Sequence, residues 1–413
     1  MNSLQRPGVK NKAAYGHVDL PLVLVLIVLG AFGLMMVFSA SWDFSQAVYK
    51  SPSYIFFKQI LFMAAGIAVA YVLSRIDYHI FKDRKVLLTI MSVTVFLLVS
   101  VLIVREVRLG AVRTLFQGSV QPSELAKVVT VVYLAVWLCT KRESLHDINL
   151  GLIPLALILG FIGGLIYLQP DLSATGTIFL LGGLLFFLAG GDLRQIVFLI
   201  IIALATAWIV VQFSPTGRER LAAYMSGLED PMQSSYHVRR SLEAIVNGGW
   251  FGAGIGKART KLTGLPVPPT DSIFAVVAEE LGLFGAMGVV ILFGLFVWRG
   301  LRISHKAPDM LGTLLAAGLT IWIGLEALMN MSVIVGLFPF AGNALPFVSA
   351  GGSNLIASLA AVGILMNIAR QGNGKPHTQT QTHTNDEERR SFSATADLRR
   401  RNGRRGLSRT GRS

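Results

Sequence analysis

Along its length the chain is a series of apolar runs separated by short polar, often basic, stretches. A helix that crosses a bilayer needs about 20 mostly apolar residues. That rule predicts ten spans, over 20–40, 54–74, 85–104, 121–139, 148–168, 173–190, 194–213, 272–298, 309–333 and 353–369. The pattern is least clean in 121–139 and 309–333, where charge lies inside the run. The runs are continuous rather than alternating, which argues against strands. The expected fold is an all-α polytopic membrane protein of about ten helices, with a large extracytoplasmic loop, 214–271, between the seventh and eighth. Residues 1–19 form a short cytoplasmic N-terminus, 20–370 the transmembrane domain and 371–413 a tail.

Composition agrees. Of 413 residues, 53% are hydrophobic and 15% charged, with mean hydropathy +0.59; soluble domains carry about 25% charged residues. The lone Cys139 excludes a disulfide framework. The first run follows Lys10 and Lys12 but exceeds the ~7–15 apolar residues of a signal peptide, so it reads as a retained anchor.

Loop cations set orientation. Arg75, Lys82, Arg84 and Lys85, then Lys141 and Arg142, then Arg299, Arg302 and Lys306, mark the cytoplasmic side, with both termini there. The predicted outer face is nonetheless basic: Arg105, Arg108 and Arg113 in one loop, and Arg218, Arg220, Arg239, Arg240, Lys257, Arg259 and Lys261 in the long one. Either an anionic ligand is held on that side or these cations pair with Glu219, Glu229, Asp230 and Glu243. From Arg370 onward, eleven Lys or Arg face four acids in a stretch almost without large apolar residues. That composition predicts disorder beside anionic headgroups, so membrane lipids are expected partners and nucleic acid is not.

An ionisable group inside a span costs on the order of 2.5–3.5 kcal/mol unless paired or hydrated. The candidates are Lys58, Glu124, Lys127, Asp171, Glu279, Glu280 and Glu326. Glu124 and Lys127, three apart, share a helix face; they form either a structural pair or the lining of a polar cavity. Asp171, in "QPDLSATG", suits a helix N-cap. In "LPVPPTDSIFAVVAEELG" (265–282), Thr270 or Asp271 would cap the next helix. Capping does not account for the three prolines upstream, and a fixed carboxylate at the water–membrane boundary suits a general base. Glu279 and Glu280 lie about 12 Å or more farther along a helix, too far for a two-carboxylate hydrolase, whose pair needs roughly 5–9.5 Å.

"GWFGAGIGKA" fails as a phosphate loop: Phe251 stands where a glycine is needed and Ala258 follows the lysine. Upstream, Val238, Leu242, Ile245 and Val246 share one face of "SSYHVRRSLEAIV", which predicts an amphipathic helix lying on the outer membrane surface. No metal-ligand spacing, nucleophile triad or internal repeat is present.

These motifs carry a resemblance. "QPSELAK" (121–127), "QPDL" (169–172), "EDP" then "SLEAIVNGGWFGAGIG" (229–256), "TDSIFAVVAEELG" (270–282) and "LPFVSAGGSNLI" (345–356), in this order, resemble the SEDS family of FtsW, RodA and SpoVE. The "EDP" and "GAGIG…K" details look most like FtsW. The resemblance implies a bacterial plasma-membrane peptidoglycan glycosyltransferase that polymerises lipid II, working with a class B penicillin-binding protein transpeptidase and other divisome proteins. It places the essential acid on Asp271 and the membrane ion pair on Glu124 and Lys127. Substrate-side positions fall on Arg113, Lys261, Lys58, Asp171, Ser349 and Ser353. Asp271 would take the proton of the attacking hydroxyl; outer-loop cations, with a divalent Mg or Mn ion as the candidate cofactor, would hold the departing undecaprenyl pyrophosphate. Glu279 and Glu280 would shape a polar cavity below the base.

The chain departs from the family pattern near the site. "LPE-x-HTDF" is "LPVPPTDS" here, losing an acid, a His and a Phe; Arg113 is followed by Thr114, Asp171-Leu172 by Ser173, and Ser349 by Ala350. Two other readings compete: a flippase or transporter of lipid-linked precursors, expected to show paired broken helices in repeated halves, and a non-catalytic division scaffold.

Overall fold

Helices account for all regular structure among the described residues of this computed structural model, which are 19–104 and 121–372. In chain order they are α1 (Leu20–Tyr49), α2 (Tyr54–Arg75), α3 (Arg84–Val104), α4 (Pro122–Thr140), α5 (Ile153–Tyr167), α6 (Leu172–Leu188), α7 (Leu193–Phe213), α8 (Pro215–Glu229), α9 (Tyr236–Gly248), α10 (Ile273–His305), α11 (Met310–Ile334) and α12 (Gly352–Gly372). Nine helices in the described residues are long and apolar enough to cross a membrane, α5 counting with the helical turn that precedes it. The tenth predicted span is the 17-residue apolar α6.

Helices α4, α11 and α12 are mostly buried and form the centre. By contrast, α7 is apolar with Gln195 alone buried among its described side chains, as expected of a lipid-facing helix. Without a hydrophobic drive between helices in lipid, close contact depends on small residues. The α2–α12 pair shows it: a methyl on Gly363 would lie 2.5 Å from the Ala70 carbonyl oxygen.

Two sequence expectations change. The span predicted as one helix over 272–298 is broken: Gly282 sits at φ 69, ψ −169 inside α10, a region essentially restricted to glycine. The segment from 283 to 305 runs roughly 35 Å at 1.5 Å per residue, enough to span alone. The break would orphan backbone groups, and residues 249–254 supply the partners. Leu283 and Phe284 donate their N–H groups to the carbonyls of Gly249 and Trp250; Ala253 and Gly254 donate to those of Glu279 and Glu280. The glycine-rich motif that failed as a phosphate loop is thus spliced into a helix.

The second change concerns α9. The helix buries Val238 alone of its predicted apolar face, with Leu242 and Ile245 half-buried. It packs on α10 through His237, Val238, Ser241, Ala244 and Gly248, and Val246 is exposed. The reason is size. A methyl on Gly248 would come within 2.0 Å of the Ala278 carbonyl oxygen, so only the small-residue face fits there.

Candidate active site

The segment 266–272 is stiffened by Pro266, Pro268 and Pro269 and closed on itself: the Ser272 hydroxyl donates to the Pro266 carbonyl at 2.5 Å. Val267 within it holds φ 42, an unfavourable conformation for a β-branched residue that persists only where surroundings over-determine it. The following helix begins at Ile273, with Ser272 at the N-cap position and no side-chain cap. Neither Thr270 nor Asp271 is the cap residue expected from sequence.

Asp271, half-buried, is fixed through its backbone from three sides. Asn330 of α11 donates Nδ2 to the Asp271 carbonyl at 3.0 Å. Ser349 donates to the Thr270 carbonyl at 2.7 Å, and the Ala350 N–H to that of Pro269 at 2.8 Å. Gly342 lies against the carboxylate, where an added methyl would stand 3.3 Å from Oδ2. The loop between α11 and α12 is therefore the clamp on the candidate base.

That loop leads into a buried polar chain. Gln59 of α2 donates to the Ser349 carbonyl and accepts from the Gly351 N–H. The Ser353 hydroxyl accepts from the Gln121 N–H at 2.8 Å. Gln121 and Ser123 both donate to Asp171 Oδ2, whose other oxygen accepts from the Ala174 N–H and caps α6. One residue past Ser353, Asn354 donates to Glu124 at 2.9 Å and to Glu326 at 3.0 Å. Lys127 bridges the same two carboxylates, at 2.9 Å to Glu124 and in closer contact with Glu326. Trp322 donates to Glu326 and lies beneath the ammonium. The expected pair is thus a triad packed in protein.

The two acids inside α10 are also engaged. Glu280 is paired with Lys261 at 2.8 Å and accepts from Ser39 of α1, and both members of the pair are almost fully buried. Glu279 accepts from the N–H groups of Arg259 and Thr260 and from the Thr260 hydroxyl. Both acids fasten the connection between α9 and α10. Lys261, expected to face substrate, turns inward because Glu280 would otherwise be a lone buried charge.

Of the sequence candidates, Asp271 and Ser349 share one loop clamp, and Ser353, at the start of α12, leads from it toward Asp171, Glu124 and Lys127. Lys58 stands 5.9 Å from the Tyr54 and Phe62 ring centres on α2. Arg113 lies outside the described residues. Sequence reading missed Asn330, Asn354, Trp322 and His237, single polar or aromatic residues with no local pattern to mark them. Among the described residues no three His, Cys, Asp or Glu side chains converge to hold a metal ion; a divalent ion carried in on a substrate pyrophosphate would need only one or two carboxylates.

His237, half a turn from the α9 start, completes the surroundings. Its Nε2 is 3.0 Å from the Ser272 hydroxyl, its ring packs on Phe340 at 4.1 Å between centres, and Arg220 covers Phe340 at 5.4 Å. Burial holds the imidazole pKa down at about 4, so it is neutral at physiological pH.

With this geometry in hand, relatives are informative. The chain matches the FtsW/RodA/SpoVE cell cycle protein family over residues 19–374. It is 38% identical to stage V sporulation protein E of Bacillus subtilis, over 85% of this chain and 97% of that one. It is 34% identical to the Geobacter metallireducens protein named "Probable peptidoglycan glycosyltransferase FtsW", over 87% and 96%. Its fold is similar to that of a chain in a peptidoglycan synthase complex (TM-score 0.68, 24% identity, 86% and 98% covered). It is also similar to that of the rod shape determining protein RodA of Thermus thermophilus (TM-score 0.59, 23% identity, 87% and 98% covered). The chain belongs to the FtsW/RodA/SpoVE family.

Proposed function

We propose that this protein is a peptidoglycan glycosyltransferase that polymerises lipid II at the outer face of a bacterial plasma membrane, with Asp271 as general base. The observation that carries the reading is the hold on Asp271: three side-chain or backbone donors fix its chain while the adjoining helix does not use it as its cap residue. Such pre-organisation suits a group that must meet a reacting proton. The carboxylate removes the proton from the 4-hydroxyl of an incoming GlcNAc. The freed oxygen bonds to the anomeric carbon of MurNAc, and the bond from that carbon to undecaprenyl pyrophosphate breaks. Exposed Arg218, Lys257 and Arg259 are available cations for the departing charge.

Family membership and relatives named for this activity support the reaction class. A transpeptidase partner is the natural consumer of the polymer, and the similar chain from a peptidoglycan synthase complex supports that pairing. The transporter reading loses ground because the break in α10 has no second counterpart in the described helices. Purified protein given labelled lipid II tests the proposal. Asp271→Ala and Asp271→Asn should both abolish polymer while leaving a folded, inserted protein; full activity of the Asn variant refutes the general base, since an amide cannot take that proton.

A further inference from the structure

The Ser272 hydroxyl has two contacts and one proton. The Pro266 carbonyl can only accept, so the proton goes there. The His237 nitrogen 3.0 Å away must then be the donor, which fixes the imidazole as its Nε2–H tautomer. The other nitrogen agrees: Nδ1 is buried without a partner. A bare lone pair there costs less than a stranded N–H, which also would have left Ser272 short of a proton.

This places one imidazole at the knot that closes the segment carrying Asp271. Ser272 follows Asp271 directly, and Pro266 opens the same stiffened loop. The ring face rests on Phe340, two residues before Gly342, which abuts the carboxylate. Thus α9, the proline loop and the α11–α12 loop meet on His237. Asn330 and Ser349 fix the carbonyls of Asp271 and Thr270 from the opposite element, but neither restrains the far side of the knot.

We infer that His237 is a positioning residue for Asp271, acting through the Nε2–H bond to Ser272 rather than by touching substrate. The inference rests on the polymerase reading above. Its consequence is a loss in turnover rather than in substrate affinity, because a base displaced by about 1 Å costs on the order of 10²-fold.

The test uses purified full-length protein and lipid II, with kcat and KM measured separately. His237→Phe keeps a ring against Phe340 and removes only the donor; kcat should fall roughly 10–100-fold with KM within about twofold. His237→Gln, whose amide N–H reaches the same place, should restore most of the rate. Ser272→Ala should reproduce the loss, and adding His237→Phe to it should cost little more, as expected of residues acting as a unit. Size-exclusion profiles and melting curves verify folding; if His237→Phe does not fold, the Ser272→Ala and His237→Gln pair decides. Wild-type kcat in folded His237→Phe or Ser272→Ala, a loss confined to KM, or no rescue by Gln overturns the inference. An active wild type with inactive Asp271→Asn alongside those results leaves the polymerase reading standing; an inactive wild type sinks both.

Discussion

Removing Lys127 should destabilise the protein more than removing either of its carboxylates. The residue is 4% exposed and bridges Glu124 (8%) and Glu326 (2%), so the ionised triad holds two negative charges against one positive. Lys127→Met leaves two carboxylates sharing the Asn354 amide and the Trp322 N–H as neutral donors. Stranding a buried charge costs about 3–5 kcal/mol, and here two like charges are stranded together. Glu124→Gln leaves a one-to-one Lys127–Glu326 pair and an amide oxygen for Asn354; its cost is that of one charge-assisted hydrogen bond, about 1.5–3 kcal/mol. The sign of the second step is the sharper criterion. Adding Glu124→Gln, then Glu326→Gln, to Lys127→Met should recover stability at each step. Denaturant midpoints in detergent micelles, followed by tryptophan fluorescence, rank the variants. Equal losses for Lys127→Met and Glu124→Gln, with no recovery in the combinations, would refute the shared-charge account.

Three further outcomes follow from other parts of the fold. Gly282→Ala puts a methyl 2.4 Å from the Trp250 carbonyl oxygen at φ 69, so folding stability should drop by about 3 kcal/mol, whereas Gly288→Ala, with nothing within 4 Å, should be tolerated; melting in detergent separates them. His237 has its folded pKa depressed from 6.5 to about 4, so its contribution is present above pH 6.5 and is lost as pH falls toward 4, where the unfolded chain binds a proton first. That loss is on the order of 3 kcal/mol as an upper bound, and His237→Phe should flatten the stability curve in that window, a flattening absent if the imidazole is already solvated. In a Cys139→Ser background, an impermeant maleimide on spheroplasts should label a cysteine at the exposed Gln233 and spare one at Ser391; the reverse pattern would place Asp271 in the cytoplasm.

Much of this was readable from residue order because hydropathy and helical spacing are local. Ten apolar runs gave ten helices, and the three-residue spacing of Glu124 and Lys127 gave a true contact. Glu326 was visible as a charge in a span but not as their partner, since it comes from a helix 199 residues away. The break at Gly282 escaped for a different reason. A hydropathy window averages side chains and cannot see a backbone dihedral, although the paired signals, "ELGLFG" and "NGGWFGAGIG", each offered glycines. With α9 the apolar spacing marked a face for the membrane surface, whereas the contact with α10 is governed by volume. Ser241, Ala244 and Gly248 decide the docking because they are small.

The acids inside α10 can now be understood together with the base at its mouth. Residues 273–280 are buried by protein rather than lipid, so Glu279 and Glu280 meet N–H, hydroxyl and ammonium groups of the preceding connection. That connection also restores the four backbone hydrogen bonds lost at Gly282. The short upper helix is thereby fixed to the protein at both ends, and Asp271 stands two residues before its first turn. Glu279 and Glu280 are engaged in holding the fold, and the proposed mechanism asks for one carboxylate, Asp271. A hydrolase needing a protonated leaving group would be incomplete with one. Transfer from a pyrophosphate is not, because that group departs as a stabilised anion and a single proton has to be taken from the attacking hydroxyl. Under the proposed function, the engagement of the neighbouring acids is in keeping with a single general base.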